Sequence, residues 1–207
     1  MSAEVPEGAG GVTSGSPATV EDFEEKYRRD DDPWGYRTSW YERRKYALTV
    51  AALPRERYRL VWEPACSIGV LTRSLARRAD RVLASDASPT AIAAARSAPL
   101  PPGAGEVDWS VRVLPDRPGI EPGAADLVVL SEILYYLDGP DRARVLEDAG
   151  AVLAPGGDLV VVHWQPPADD AHVAGREASA WVRARPGWDH LVRHDDERFA
   201  LDVLRKR

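Results

Sequence analysis

The chain has 207 residues, 44% of them hydrophobic and 29% charged, with a formal net charge of −6. That length supports one domain with a substantial core. A net acidic chain has no general electrostatic reason to hold nucleic acid, and no apolar run approaches the roughly 18 residues of a membrane span. The lone cysteine, Cys66, excludes an internal disulfide and a cysteine zinc site, and the histidines at 163, 172, 190 and 194 lack metal-ligand spacing.

Residues 1–18 are rich in Gly, Ser, Pro and Ala, without the basic and apolar regions of a secretory signal, so a disordered tail on a cytoplasmic protein is expected. "VEDFEEKYRR" reads as a short polar helix that "DDDPWGY" breaks. "SWYERRKYALTVAAL" reads as a second helix. Ser39 and Glu42 have the spacing of a capping box, Trp40, Ala47, Val50 and Ala51 supply the apolar face, and Pro54 ends it. Residues 19–54 are thus expected to form a helical lid, and 55–207 the main domain.

From residue 59 the pattern alternates. "RLVWEP", "RVLASDA", "DWSVRVLP", "ADLVVLSEI" and "DLVVVHW" read as strands. Between them "GVLTRSLARRA", "SPTAIAAARSA" (Ser88 as cap, Pro89 in the first turn) and "GPDRARVLEDAGAVLAPGG" read as helices. "EASAWVRAR" is a further helix, and "HLVRHD" with "FALDVLRK" closes the chain as a strand pair. The order predicts an α/β fold: a mostly parallel, seven-stranded Rossmann-like sheet with one antiparallel strand at or near an edge and helices on both faces.

In such a sheet ligands sit at the carboxyl ends of the strands. The loop after the first strand, "EPACSIG", has Glu63 followed by small residues at every second place, Ala65, Ser67 and Gly69. A dinucleotide loop wants G-x-G-x-x-G. The spacing here fits better the acid-x-G-x-G-x-G pattern of S-adenosyl-L-methionine (SAM) enzymes, with Asp86 at the end of the second strand able to accept from both ribose hydroxyls.

Three stretches carry a family resemblance: "SWYERRKYAL", "SIGVLT" and "LSEILYYL", within residues 30–164. Together they resemble the NodS-like class I SAM-dependent methyltransferases. The resemblance implies methyl transfer from SAM to a small polar acceptor, in the namesake branch N-methylation of an amino sugar on an oligosaccharide. Ala65 and Ser67 depart from the usual glycines, no Asp follows the third strand at the adenine edge, and "GREASAWV" lacks a histidine expected of close relatives.

The candidate cofactor residues are Glu63, Ala65, Cys66 (read as packing within the loop), Ser67, Gly69, Asp86, Ala87, the backbone at Val113 and Leu114, and Ser131. Glu132 and His163, at the ends of the fourth and fifth strands, are candidates for a proton acceptor if the acceptor is an amine. Trp34, Tyr41, Arg44, Tyr135 and Tyr136 are candidates for the acceptor wall. Each has a plain structural alternative: a salt-bridged glutamate, a structural histidine, packing aromatics, a solvated "ERRK" face. No metal is expected. Competing classes are O-methyl transfer to a small metabolite, SAM binding without catalysis, a nicotinamide dehydrogenase, and a nucleic-acid amino-methyltransferase. The last is opposed by "SEILYY" where such enzymes carry a Pro-Pro-aromatic stretch.

Overall fold

The strand signals condense into one sheet. The computed structural model describes residues 16–116 and 119–207. The tail expected over 1–18 lies, through residue 15, outside the described residues.

Two helices come first, α1 (Val20–Arg29) and α2 (Trp40–Ala51). Then follow β1 (Tyr58–Pro64), α3 (Val70–Ala76), β2 (Ala79–Asp86), α4 (Pro89–Ser97), β3 (Glu106–Val111) and β4 (Ala125–Ser131). A 3-10 turn (Leu134–Tyr136) leads into α5 (Gly139–Val152), β5 (Leu153–Trp164), α6 (Gly175–Arg183), β6 (Trp188–Asp195) and β7 (Phe199–Lys206). Among the described residues the sheet has seven strands in the order β3-β2-β1-β4-β5-β7-β6. All pairs from β3 to β5 are parallel, and β7 runs antiparallel between β5 and β6. The expected architecture is therefore the observed one, with the antiparallel strand one place in from the edge.

The two-residue period of the strands divides the core. Val61, Leu127, Val129, Val160 and Val162 face α2 and α3 with Leu71 and Leu75. Their neighbours Trp62, Val128, Leu130, Leu159 and Val161 face α5 and α6 with Leu146, Ala149 and Val182. Burying each such side chain is worth about 1.5–3 kcal/mol, and both faces are covered, which is why these strands read as unbroken apolar runs.

Helix α2 departs from the expected face. Its buried residues are Glu42, Lys45 and Thr49, whereas Trp40 is 71% exposed. Ser39 accepts from the Glu42 amide, but the Glu42 carboxylate turns to Lys45 rather than back to the cap, so only half of the expected box forms. A complete box appears one helix earlier, between Thr19 and Asp22.

Candidate functional site

The strand order reverses between β1 and β4, and the loop after β1 lies at that switch point. Ala65, Ser67 and Gly69 all have left-handed backbone, with φ of 56°, 53° and 73°. Alternate left-handed residues explain the preference for glycine there, and an L-residue in that region carries roughly 1–2 kcal/mol of strain. Gly69 has a second reason: a Cβ would stand 2.4 Å from Cη2 of Trp109.

Asp86 fixes the strained loop. Its Oδ2 accepts from the Ser67 amide at 2.8 Å and its Oδ1 from the Ser88 amide at 2.9 Å. Burial pushes its pKa up, against the pull of those amides. Each carboxylate oxygen keeps a second lone pair, so the expected grip on ribose hydroxyls adds to this structural role. Ala87 follows, half-buried, and the Arg112 amide donates to the Asp86 carbonyl, which brings Val113 and Leu114 beside the same strand end. Ser131 ends β4 opposite Val162. Cys66 packs in the core, and burial pushes its thiol up, in line with a packing role.

Glu63 is 2% exposed, and its Oε2 has no hydrogen-bond partner. Burial pushes its pKa up to about 8, against the influence of Thr72 and Arg73. An orphaned acid oxygen beside a left-handed loop of small residues fits SAM, whose methionine end carries an ammonium and whose other end carries ribose hydroxyls. The cofactor residues expected from sequence therefore converge on one place.

The expected catalytic pair does not converge in the same way. Glu132 is itself left-handed, with φ 57°. Its Oε1 accepts from Lys45 Nζ at 2.7 Å, and its Oε2 accepts from the Tyr135 hydroxyl at 2.8 Å and the Trp164 amide at 2.7 Å. Burial alone would raise its pKa, but Lys45 and these donors hold it below the usual value. Glu132 is thus a staple joining α2, the 3-10 turn and the end of β5, and a weak proton acceptor. The pleat points His163 the other way. Its side chain is fully buried toward α6, Nδ1 lies 2.9 Å from the Ser179 hydroxyl, and burial pulls its pKa down to about 4. Its ring stands 5.6 Å by centroids from that of Tyr135, and its Nε2 is buried without a hydrogen-bond partner.

Arg44 also departs from expectation. Expected on the acceptor wall, it pairs with Asp196 in the β6–β7 turn at 2.7 Å and so anchors α2 to the hairpin. The aromatic candidates do gather. Trp34 lies against Phe23, Tyr27 and Tyr36, with Tyr136 4.9 Å from Phe23 and 4.5 Å from Tyr135 by ring centroids. Tyr41 meets Trp164 at 5.5 Å. Helix α1, within the segment expected to be a lid, meets the loop after β1 and the start of α4: the Tyr27 hydroxyl donates to Ser67 Oγ at 2.5 Å, and Glu24 accepts from the hydroxyls of Ser88 and Thr90 at 2.5 and 2.7 Å.

Sequence reading missed Glu24, Tyr27, Tyr36, Glu42, Lys45 and Tyr46. The signal that was available for part of this set is the 3, 4 spacing of Glu42, Lys45 and Thr49, one polar stripe on one helix face.

Comparison with known proteins agrees with this geometry. A family model described as "Methyltransferase domain" matches residues 61–157. A Pseudomonas syringae protein described as a methyltransferase is 37% identical in sequence. The match covers 81% of this chain and all of that one, with a TM-score of 0.68. The N-methyltransferase NodS of Bradyrhizobium japonicum WM9, solved with S-adenosyl-L-homocysteine (SAH), is 21% identical over 90% of this chain and 98% of its own, with a TM-score of 0.75, a likeness of fold. A ubiquinone biosynthesis O-methyltransferase of Xanthomonas euvesicatoria is 32% identical over 48% of this chain, and one of Xylella fastidiosa 29% over 64%. The chain spans 40% and 49% of the length of those two relatives.

Proposed function

The chain belongs to the class I SAM-dependent methyltransferases, and from that membership we propose that its acceptor is the nitrogen of a small polar amine, an amino sugar or its oligosaccharide among them. When bound, SAM supplies a methyl group on a positively charged sulfur. Glu63, the left-handed loop 65–69 and Asp86 hold it, and residues 19–54 act as the lid over that loop.

The observation that carries the nitrogen reading is the excess of buried carboxylate on the acceptor wall, where Glu132 and Glu42 share the single ammonium of Lys45. Glu132 already accepts three hydrogen bonds, and His163 faces α6. A phenol of pKa about 10 needs a protein base to give up its proton, whereas an amino group near pKa 8 is partly free in water at neutral pH. The wall's part is then proximity and alignment, with the carboxylates of Glu132 and Glu42 favouring the positive charge that the acceptor nitrogen acquires.

Oxygen transfer is the second reading, favoured by the names of the Xanthomonas and Xylella relatives. One assay separates the two. The protein is incubated with methyl-labelled SAM and either a deacetylated chito-oligosaccharide or a simple primary amine, in parallel with catechol. Label in the amines supports nitrogen transfer. Label in catechol alone overturns it.

A further inference from the structure

We propose that Glu42 is the anchor for the positive charge that the acceptor nitrogen acquires on methylation, so that the site binds organic ammonium ions more tightly than neutral molecules of the same shape; the proposal rests on the nitrogen reading above and deepens it.

The argument starts from a charge imbalance inside the protein. Glu42, Lys45 and Glu132 are 7% exposed, 2% exposed and half-buried respectively, two carboxylates facing one ammonium. Lys45 is committed to Glu132 by a 2.7 Å hydrogen bond. It also pairs with Glu42 Oε2 at 2.8 Å, so one ammonium is shared between two buried carboxylates and that oxygen has no further donor. The adjacent Tyr41 hydroxyl is likewise buried and unpartnered. A second carboxylate, Asp32, acts on Glu42 unfavourably, while its own oxygens accept from the Tyr36 and Arg37 amides. A buried carboxylate with incomplete compensation is unfavourable until a cation or a proton completes it.

The surroundings favour an organic cation as that partner. Tyr36 and Tyr46 stand 6.0 Å apart by ring centroids, Trp34 is 5.8 Å from Tyr36, and the hydroxyls of both tyrosines feel Glu42 and Glu132. The same cluster already seats one ammonium on aromatic faces: Lys45 Nζ lies 5.5 Å from the Tyr41 ring centroid and 5.4 Å from that of Tyr46. Aromatic faces plus an incompletely paired carboxylate recognise alkylammonium groups, whereas a neutral molecule of the same shape gains no ion–ion or cation–π attraction. None of these rings stands on the strands. They come from α2 and the segment before it, so this acceptor preference resides in the lid.

The test uses the full chain saturated with SAH and two probes of matched shape, choline and 3,3-dimethylbutan-1-ol, with affinities measured by calorimetry. The wild type is expected to bind choline at least about tenfold more tightly than the neutral probe. Glu42→Gln is expected to bring that ratio near unity while SAH affinity, which also reports on folding, stays within about twofold, and Glu42→Asp is expected to restore part of the ratio. Equal binding of the two probes by the wild type, or no choline binding, overturns the proposal without any variant. So does an unchanged ratio in Glu42→Gln, or a loss in that variant confined to SAM relative to SAH, which would assign Glu42 to the cofactor's sulfonium. Methyl transfer to amines in a protein lacking the discrimination sinks the role of Glu42 and leaves the nitrogen reading standing. Discrimination in a protein that methylates only catechol does the reverse.

Discussion

At the scale of single residues, Ala65 and Ser67 occupy left-handed backbone that glycine would adopt without strain. Ala65→Gly is therefore expected to raise stability by about 1 kcal/mol, because relief of strain outweighs the greater freedom glycine has when unfolded. Urea unfolding checks this, and a lower midpoint would show that Ala65 is not strained. Ser67→Gly should gain less, since it loses the hydrogen bond from Tyr27. Asp86→Ala removes the acceptor for two loop amides as well as the ribose contact. Its SAM affinity should fall by about 1.5–3 kcal/mol, and the fall should come with loss of amide protection at Ser67 and Ser88. Unchanged affinity in a folded variant would take Asp86 out of the site. The positions of these residues were legible in the alternation of small side chains after Glu63. The roles of Glu132 and His163 were not, because strand ends fix where a residue lies, while the pleat and the neighbouring helix decide what its side chain meets.

Among the elements, α2 is the one whose sequence misled. A helix reading "WYERRKYALTVA" assigns its charges to water, yet the buried stripe is Glu42, Lys45 and Thr49, since Lys45 finds Glu132 just past the end of β4. Charged residues go inside only when paired, and the pair here lies 87 positions away, beyond the reach of any local pattern. Helix α2 is held at two points of different strength. Lys45→Ala leaves two buried carboxylates facing each other and is expected to cost about 3–5 kcal/mol. Arg44→Ala breaks a pair whose arginine is 41% exposed and should cost less than about 1 kcal/mol. Thermal unfolding of the two variants ranks them. Equal, small losses would mean that the Lys45–Glu132 contact does not hold the lid.

Over the whole molecule, the sheet order and the two-faced core followed from strand spacing, because parallel strands buried on both sides leave unbroken apolar runs. Where that core encloses titratable groups, it sets how stability depends on pH. Burial raises Glu63 to about 8 from 4.5, so the folded protein holds a proton the unfolded chain releases, and stability falls as pH rises across that interval. Burial lowers His163 to about 4 from 6.5, so the unfolded chain binds the extra proton, and stability is lost as pH falls from 6.5 toward 4. Between 4.5 and 6.5 the two slopes oppose and nearly cancel. Between 6.5 and 8 Glu63 acts without the opposing His163, and at about 1.4 kcal/mol per pH unit its contribution to the protein without SAM should fall by about 2 kcal/mol. Glu63→Gln should abolish that decline and uncover the His163 slope, so that stability rises from about pH 4.5 to 6.5 and then levels. Urea unfolding of both proteins at intervals from about pH 4.5 to 8.5 provides the measurement. A wild-type curve as flat above pH 6.5 as that of Glu63→Gln would mean that Glu63 does not keep its proton in the folded protein. The orphaned oxygen assigned to the cofactor's ammonium would then already have a partner.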